Sequence, residues 1–255
     1  MSAHSCGAGA RARPSDIGPA LRRAVSLGCE YVEFDVQLTG DGTLVLLHDQ
    51  EVELAGRRCS VATLTPAQIR SVTGSLTTYD DALAVLAGQK KAHIDLKFVT
   101  GRRQAGGQPP EVRAARRAVE VLGAENVVLT TPHEHMVAAI RAWSAERHPD
   151  LLVGLTVGGR RPGRRWWQAA LDQVAQLLPA SRVRAADANL VAAHRLPARL
   201  TVARWAARAG LPLLVWTVDD RRGLSRWLTD RRVWVVTTNL PQLAVQIRAD
   251  ATGND

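Results

Sequence analysis

Apolar, β-branched runs return along the chain at intervals suited to strand, helix, strand: around Tyr31 to Gln37, Ala92 to Lys97, Asn126 to Thr130, Leu151 to Thr156, Ala186 to Val191, Pro212 to Thr217 and Val233 to Thr237. The stub Ser2 to Ser5 adds an eighth. Between them, amphipathic stretches predict helices over Ile17 to Leu27, Thr78 to Ala87, Glu111 to Leu122, Glu134 to Arg147, Arg164 to Leu178, Ala198 to Ala209, Asp220 to Leu228 and Pro241 to Ala249. Strict alternation of this kind favours an α/β fold closed into a parallel (β/α)8 TIM barrel over an open doubly wound sheet. Gly123 and Gly210 stand where helices should end in a left-handed cap, and Asp219 or Asp220 can cap the helix after the seventh strand. His4 lies so close to the start that a full barrel strand barely fits, which points to a true start upstream of Met1. At 255 residues the chain has the usual length of such a barrel and reads as one domain, 1–255.

Polar residues interrupt two of these strands with a period of two. Glu33 and Asp35 point to one face while Val32, Phe34 and Val36 face the other. In His93-Ile94-Asp95-Leu96-Lys97, Asp95 and Lys97 share one face in the same way, with His93 one layer deeper as a hydrogen-bonded core residue. Like charges inside a barrel are costly unless a cation or hydrogen-bond donors compensate them. Three hard oxygen ligands, Glu33, Asp35 and Asp95, suit Mg²⁺ or Ca²⁺ rather than zinc, and Lys97 suits an anionic substrate.

The second strand runs into Gly40-Asp41-Gly42-Thr43, whose Asp-Gly dipeptide predicts a two-residue type I′ hairpin. Pairing Gly40 with Thr43 and counting outward sets Asp35 opposite His48 at a non-hydrogen-bonded pair, Cα atoms roughly 4.5 Å apart. His48 then faces the acidic site, provided no bulge breaks the ribbon.

Charge changes this picture little. The net charge is +9, but all of the 33 basic residues except Lys90, Lys91 and Lys97 are Arg, scattered over helices without an aromatic-interleaved stripe. Specific nucleic-acid binding is therefore not expected. No apolar run is long enough for a membrane helix, Met1 to Gly9 has no signal-peptide pattern, and the expected compartment is the cytoplasm. Cys6, Cys29 and Cys59 form no CxxC pair and read as reduced thiols. Gly101 to Pro110 and Gly158 to Arg165 read as solvated loops at the mouth. Trp166-Trp167, beside the basic loop Arg160 to Arg165, is the candidate for peripheral contact with a membrane surface, whereas Trp205, Trp227 and Trp234 read as packing.

The residues also carry a family resemblance. Ala3-His4-Ser5-Cys6-Gly7, Tyr31-Val32-Glu33-Phe34-Asp35-Val36-Gln37-Leu38-Thr39, Asp41-Gly42 and His48-Asp49 resemble the opening motifs of the glycerophosphodiester phosphodiesterases. Ile94-Asp95-Leu96-Lys97, Val215-Trp216-Thr217-Val218-Asp219-Asp220 and Thr238-Asn239-Leu240-Pro241 fall where that family has its later motifs. The resemblance implies Glu33, Asp35 and Asp95 as metal ligands, His4 and His48 as general base and general acid, Lys97 as a stabiliser of phosphoryl charge, and Trp216 at the mouth. Cleavage of a glycerophosphodiester to glycerol 3-phosphate and an alcohol would follow.

The match departs in places. Ser5 stands where the family has Arg, so Arg11 or Arg13 becomes the candidate phosphate ligand. Pro14-Ser15-Asp16 replaces a Pro-Glu-Asn segment, Asp95 a Glu, and Asn239 an Asp. Asp-Leu-Lys at 95 to 97 is shared with sphingomyelinase D-type barrels, and the short stretch Gln50 to Leu64 implies an open mouth. Both keep a lysophospholipid substrate, lysophospholipase D action or cyclic-phosphate formation in view. A non-catalytic barrel that binds a phosphorylated ligand is the reading from another class, and oligomeric state is not legible.

Overall fold

A barrel closes only when its first strand pairs on both edges, and here two residues suffice. In this computed structural model, which describes residues 1–9, 12–99, 107–158, 177 and 179–252, β1 (Ser2–Ala3) pairs in parallel with β2 (Tyr31–Leu38) on one side. On the other side it pairs with β11 (Val235–Thr238). The remaining circuit is parallel throughout: β2 to β6 (Lys91–Leu96), then β7 (Val127–Thr131), β8 (Leu152–Val157), β9 (Leu190–His194), β10 (Leu213–Trp216) and back to β11. The α/β barrel expected from alternation is thus the observed architecture.

Alternation inside each strand sorts the core. Val32, Phe34, Val36, Ile94, Leu96 and Leu129 face outward into the main core beneath helices such as α1 (Pro14–Ala24). Tyr31, Val128, Leu190, Ala192, Leu214 and Val235 face inward and close the lower barrel as an apolar plug. A Cβ at Gly154 would lie 2.1 Å from Leu190 Cδ2, so Gly154 makes room for that leucine. Above the plug the inward positions turn polar, which places the polar layer at the C-terminal ends of the strands, where sites in this architecture are built.

Several expected elements shift. The first helix begins at Pro14 because Pro suits the first helical position and Asp16 Oδ2 accepts from Arg13 N at 2.9 Å. The strand expected at Ala186 to Val191 is Leu190–His194. Its alanine-rich lead-in ends a helical segment, Ala180–Ala185, and Asn189 then ties to Val153 N at 2.8 Å and Leu151 O at 2.9 Å. The helix expected over Arg164 to Leu178, the pair Trp166-Trp167, and most of the two mouth loops lie outside the described residues.

The hairpin after β2 is the main correction. β3 (Leu44–Leu46) pairs Leu38 with Leu44 and Val36 with Leu46, and Thr39 N donates to Thr43 O at 2.9 Å. The loop therefore holds three residues, Gly40-Asp41-Gly42, rather than two, with Gly42 at φ +86°. A one-residue slip exchanges the two faces of a strand. Leu47, not His48, lies across from Asp35, its N–H donating to Asp35 O at 3.1 Å.

Beyond the hairpin the sequence reading placed no element, yet residues 44–76 build a satellite unit. β4 (Glu51–Leu54) pairs with β5 (Arg57–Ser60), and α2 (Pro66–Thr73) follows with a Thr65 cap. Val45, Leu47, Val61, Leu64, Ile69 and Leu76 give it a small core of its own. Among the described residues no helix is long and apolar enough to cross a membrane.

Candidate active site

The inward faces of β2 and β6 lie side by side, Glu33 against His93 and Asp35 against Asp95. This register gathers three carboxylates. Glu33, Asp35 and Asp95 are all buried, and each offers an oxygen within 4.8 Å of the others. Lys97 enters between them, its Nζ 2.5 Å from Asp95 Oδ2 and 3.2 Å from Asp35 Oδ1. The second approach is off the hydrogen-bonding direction, and Asp35 Oδ1 is left buried without a hydrogen-bond partner.

His4 faces the cluster from the end of β1. Its Nε2 is 3.8 Å from Glu33 Oε2, and its Nδ1 is 2.9 Å from Asn239 Oδ1. The next two residues, Ser5 and Cys6, adopt left-handed backbone at φ 47° and 57°, which turns the Ser5 N–H onto Glu33 Oε2 at 2.6 Å. The position that lacks the family's Arg thus serves the acid cluster through its backbone. Cys6 is buried beneath this turn, and burial, with Glu33 and Asp35 nearby, pushes its thiol well above the ordinary range, so it is inert.

The charge states follow from these contacts. Burial pushes Glu33 up to about 7; His4 opposes that, and Asp35 and Asp95 add to it. For Asp95 burial acts in the same direction, but the charge and hydrogen bond of Lys97 outweigh it and hold the carboxyl below its usual range. Lys97 is raised in turn, because Asp95 and Asp35 overcome its own burial. Burial lowers His4, yet Glu33 and Asp35 bring it above its ordinary value, with help from Asn239. The donor set is hard oxygen, its negative charge exceeds what Lys97 neutralises, and one buried oxygen lacks a partner. These features fit a hard divalent cation.

A second polar chain supports the first. Thr130 Oγ1 donates to Asp95 Oδ1 at 2.8 Å, so it accepts from His93 Nε2 at 3.1 Å, and His93 Nδ1 faces Ser2 Oγ at 3.3 Å. Burial lowers His93 to about 4, leaving a neutral ring. His93 is the hydrogen-bonded core residue the strand pattern implied.

His48 takes a different place from the one its hairpin count predicted. Its side chain is 68% exposed and its Nδ1 meets Asp49 Oδ1 at 2.8 Å. It still borders a cavity of about 350 Å³ that His4 and Asp35 also line. Apolar side chains line it as well, among them Ile17, Leu46 and Leu47. Arg13 is exposed at the start of α1 and is not among the lining residues of this cavity; Arg11 lies outside the described residues. Trp216 sits on the inner face of β10, its ring 5.4 Å from that of His194, with Nε1 buried and unpartnered. It does not line the cavity shared by His4 and His48.

Sequence reading missed three contributors. Thr130 is one, Asp219 another, and Asn239 entered only as a departure from a motif rather than as the partner of His4. Their signal was weak: all are common polar residues at strand ends, and only closure of the barrel brings residues 4 and 239 together.

Comparison with known proteins gives the family and the fold. Residues 18–243 match the family model described as the Glycerophosphoryl diester phosphodiesterase family. Over 80 residues the chain is 38% identical to a glycerophosphocholine phosphodiesterase of Eremothecium gossypii, a match that spans 31% of this chain and 6% of that protein. A crystal structure of a glycerophosphodiester phosphodiesterase from Parabacteroides distasonis superposes with a TM-score of 0.68 at 18% identity, covering 98% of this chain and 97% of that one. An Oleispira antarctica phosphodiesterase, solved with the product sn-glycerol-3-phosphate, gives 0.68 at 17% identity over 98% and 96% of the two chains. At such identities these structures speak to the fold alone.

Proposed function

The chain belongs to the glycerophosphoryl diester phosphodiesterase family, and on that premise we propose that it is a metal-dependent phosphodiesterase that cleaves glycerophosphodiesters to glycerol 3-phosphate and an alcohol. The observation that carries the reading is the buried trio Glu33, Asp35 and Asp95, within 4.8 Å of one another and faced by the His4 imidazole. The trio would hold Mg²⁺ or Ca²⁺. When bound, the ion supplies Lewis-acid charge to the non-bridging phosphoryl oxygens.

His4 Nε2 takes the proton from the attacking oxygen, either a neighbouring hydroxyl of the substrate or a water. His48, exposed at the rim, returns a proton to the alcohol oxygen as its bond to phosphorus breaks. Lys97 keeps Asp35 and Asp95 close together and adds positive charge beside the phosphoryl group. Ser5 holds the Glu33 carboxylate through its backbone, which leaves anion binding to Lys97 and to Arg11 or Arg13. Trp216, across the barrel, is assigned to the far side of the substrate.

Purified protein with Mg²⁺ or Ca²⁺ and glycerophosphocholine should release glycerol 3-phosphate. Activity that persists with chelator present or in His48→Ala would overturn the reading. The apolar side chains Ile17, Leu46 and Leu47 favour a second substrate, a lysophospholipid whose chain lies against them. Phosphorus NMR of the products separates hydrolysis of either substrate from cyclic-phosphate formation. Ligand-dependent thermal stabilisation without any product would mark a binding barrel instead.

A further inference from the structure

His4 Nδ1 has two partners: Ser5 Oγ at 3.3 Å, a hydroxyl that can either donate or accept, and the nearer Asn239 Oδ1 at 2.9 Å, whose role is fixed by the rest of its amide. Asn239 Nδ2 lies 2.7 Å from Asp219 Oδ2, and the Asn239 N–H donates to Asp219 Oδ1 at 2.8 Å. A carboxylate only accepts, so the nitrogen of the Asn239 amide must face Asp219 and its oxygen must face His4. That oxygen, Oδ1, is 2.9 Å from His4 Nδ1 and cannot donate, so Nδ1 carries the hydrogen. The lone pair of the neutral ring is then on Nε2, the nitrogen 3.8 Å from Glu33 that faces the carboxylate cluster.

From this chain of contacts we infer that Asp219 and Asn239 are positioning residues, which act through His4 by fixing the amide orientation and hence the Nδ1–H tautomer that leaves Nε2 free to take a proton. The inference rests on the proposed role of His4. Neither residue touches the carboxylate cluster. Asp219 is exposed on the loop after β10 and Asn239 is half-buried on the loop after β11, so the relay runs from the surface through one amide to the imidazole. Thr238 Oγ1, 3.4 Å from Asp219 Oδ1, completes the tie between the two loops. Free imidazole side chains favour the opposite tautomer, so without this support the lone pair would turn toward Asn239 and away from the cluster.

The test compares Asp219→Leu, Asp219→Asn and the unmodified chain. Long-range nitrogen–proton NMR of the metal-free protein, at a pH where the ring is neutral, reads the tautomer directly, with the His4 signals identified by their loss in His4→Gln. The unmodified chain should show Nδ1–H. Asp219→Leu should shift the ring toward Nε2–H and lower kcat by about tenfold or more, short of the ~10²–10⁴ the base itself contributes, with KM within about twofold. Asp219→Asn has one oxygen for the two donors of Asn239, its backbone N–H and Nδ2, so it no longer forces the amide orientation and should fall between the unmodified chain and Asp219→Leu in both tautomer and rate. Melting temperatures of the variants identify any that fail to fold. An Nε2–H ring in the unmodified protein, or a tautomer and kcat unchanged in a folded Asp219→Leu, would overturn the inference. If His4→Gln turns over normally, the catalytic reading fails by itself, and the tautomer measurement still decides whether the relay exists.

Discussion

Lys97 Nζ lies 2.5 Å from Asp95 Oδ2 in a pocket that leaves the lysine side chain 28% exposed. This is the nearest compensating cation for the acid cluster. Lys97→Met should therefore leave three carboxylates crowded together and destabilise the metal-free protein by an amount near the lower end of the ~3–5 kcal/mol typical of a broken buried pair. A saturating divalent cation should recover much of that loss, because it replaces the missing charge. Thermal melting with chelator and with metal checks both expectations.

Glu33 ties stability and metal affinity to pH. Its carboxyl is raised from 4.5 to about 7 in the folded chain, so between those values the folded state binds more protons than the unfolded one. The stability from this group is complete below 4.5 and is lost as pH rises through 7. Metal-free protein should accordingly lose melting temperature over that window more steeply than Glu33→Gln does. A cation must displace the same proton, so its affinity should climb by about tenfold per pH unit and level off once Glu33 is ionised. Calorimetric titration across the range measures it.

Thr130 serves Asp95 and His93 at once. Thr130→Val keeps the shape but leaves Asp95 Oδ1 and His93 Nε2 without this partner, which should cost about 1–3 kcal/mol of stability. The freed Asp95 carboxylate should also bind metal more weakly, by about 10–100-fold. Thr130→Ser, which retains the hydroxyl, should restore metal affinity in the same titration.

His4 and His48 should part company in stability while agreeing in catalysis. Alanine at either position should lower kcat by about 10²–10⁴, the usual contribution of an acid or base. His48 is largely exposed, so its replacement should change stability by no more than about 0.5 kcal/mol. His4 is bonded to Asn239 in a half-buried site, and its loss should lower the melting temperature measurably. Paired melting curves and steady-state rates separate the two.

Much of this site was legible along the chain. The period of two in a strand is a local property of the extended backbone, so Glu33 with Asp35, and Asp95 with Lys97, had to share faces whatever the rest of the fold did. The alternation of strands and helices likewise implied the barrel, because parallel strands need crossovers and their apolar faces need cover. What lay beyond the chain pattern was distance between segments. Whether Asp35 meets Leu47 or His48 turns on one residue in a loop, where Asp41-Gly42 is compatible with more than one turn and Gly42 at φ +86° took the three-residue form. The contact of His4 with Asn239, and the orientation Asp219 imposes on it, came only with closure of β1 onto β11, since no local interaction relates residues at opposite ends of a chain.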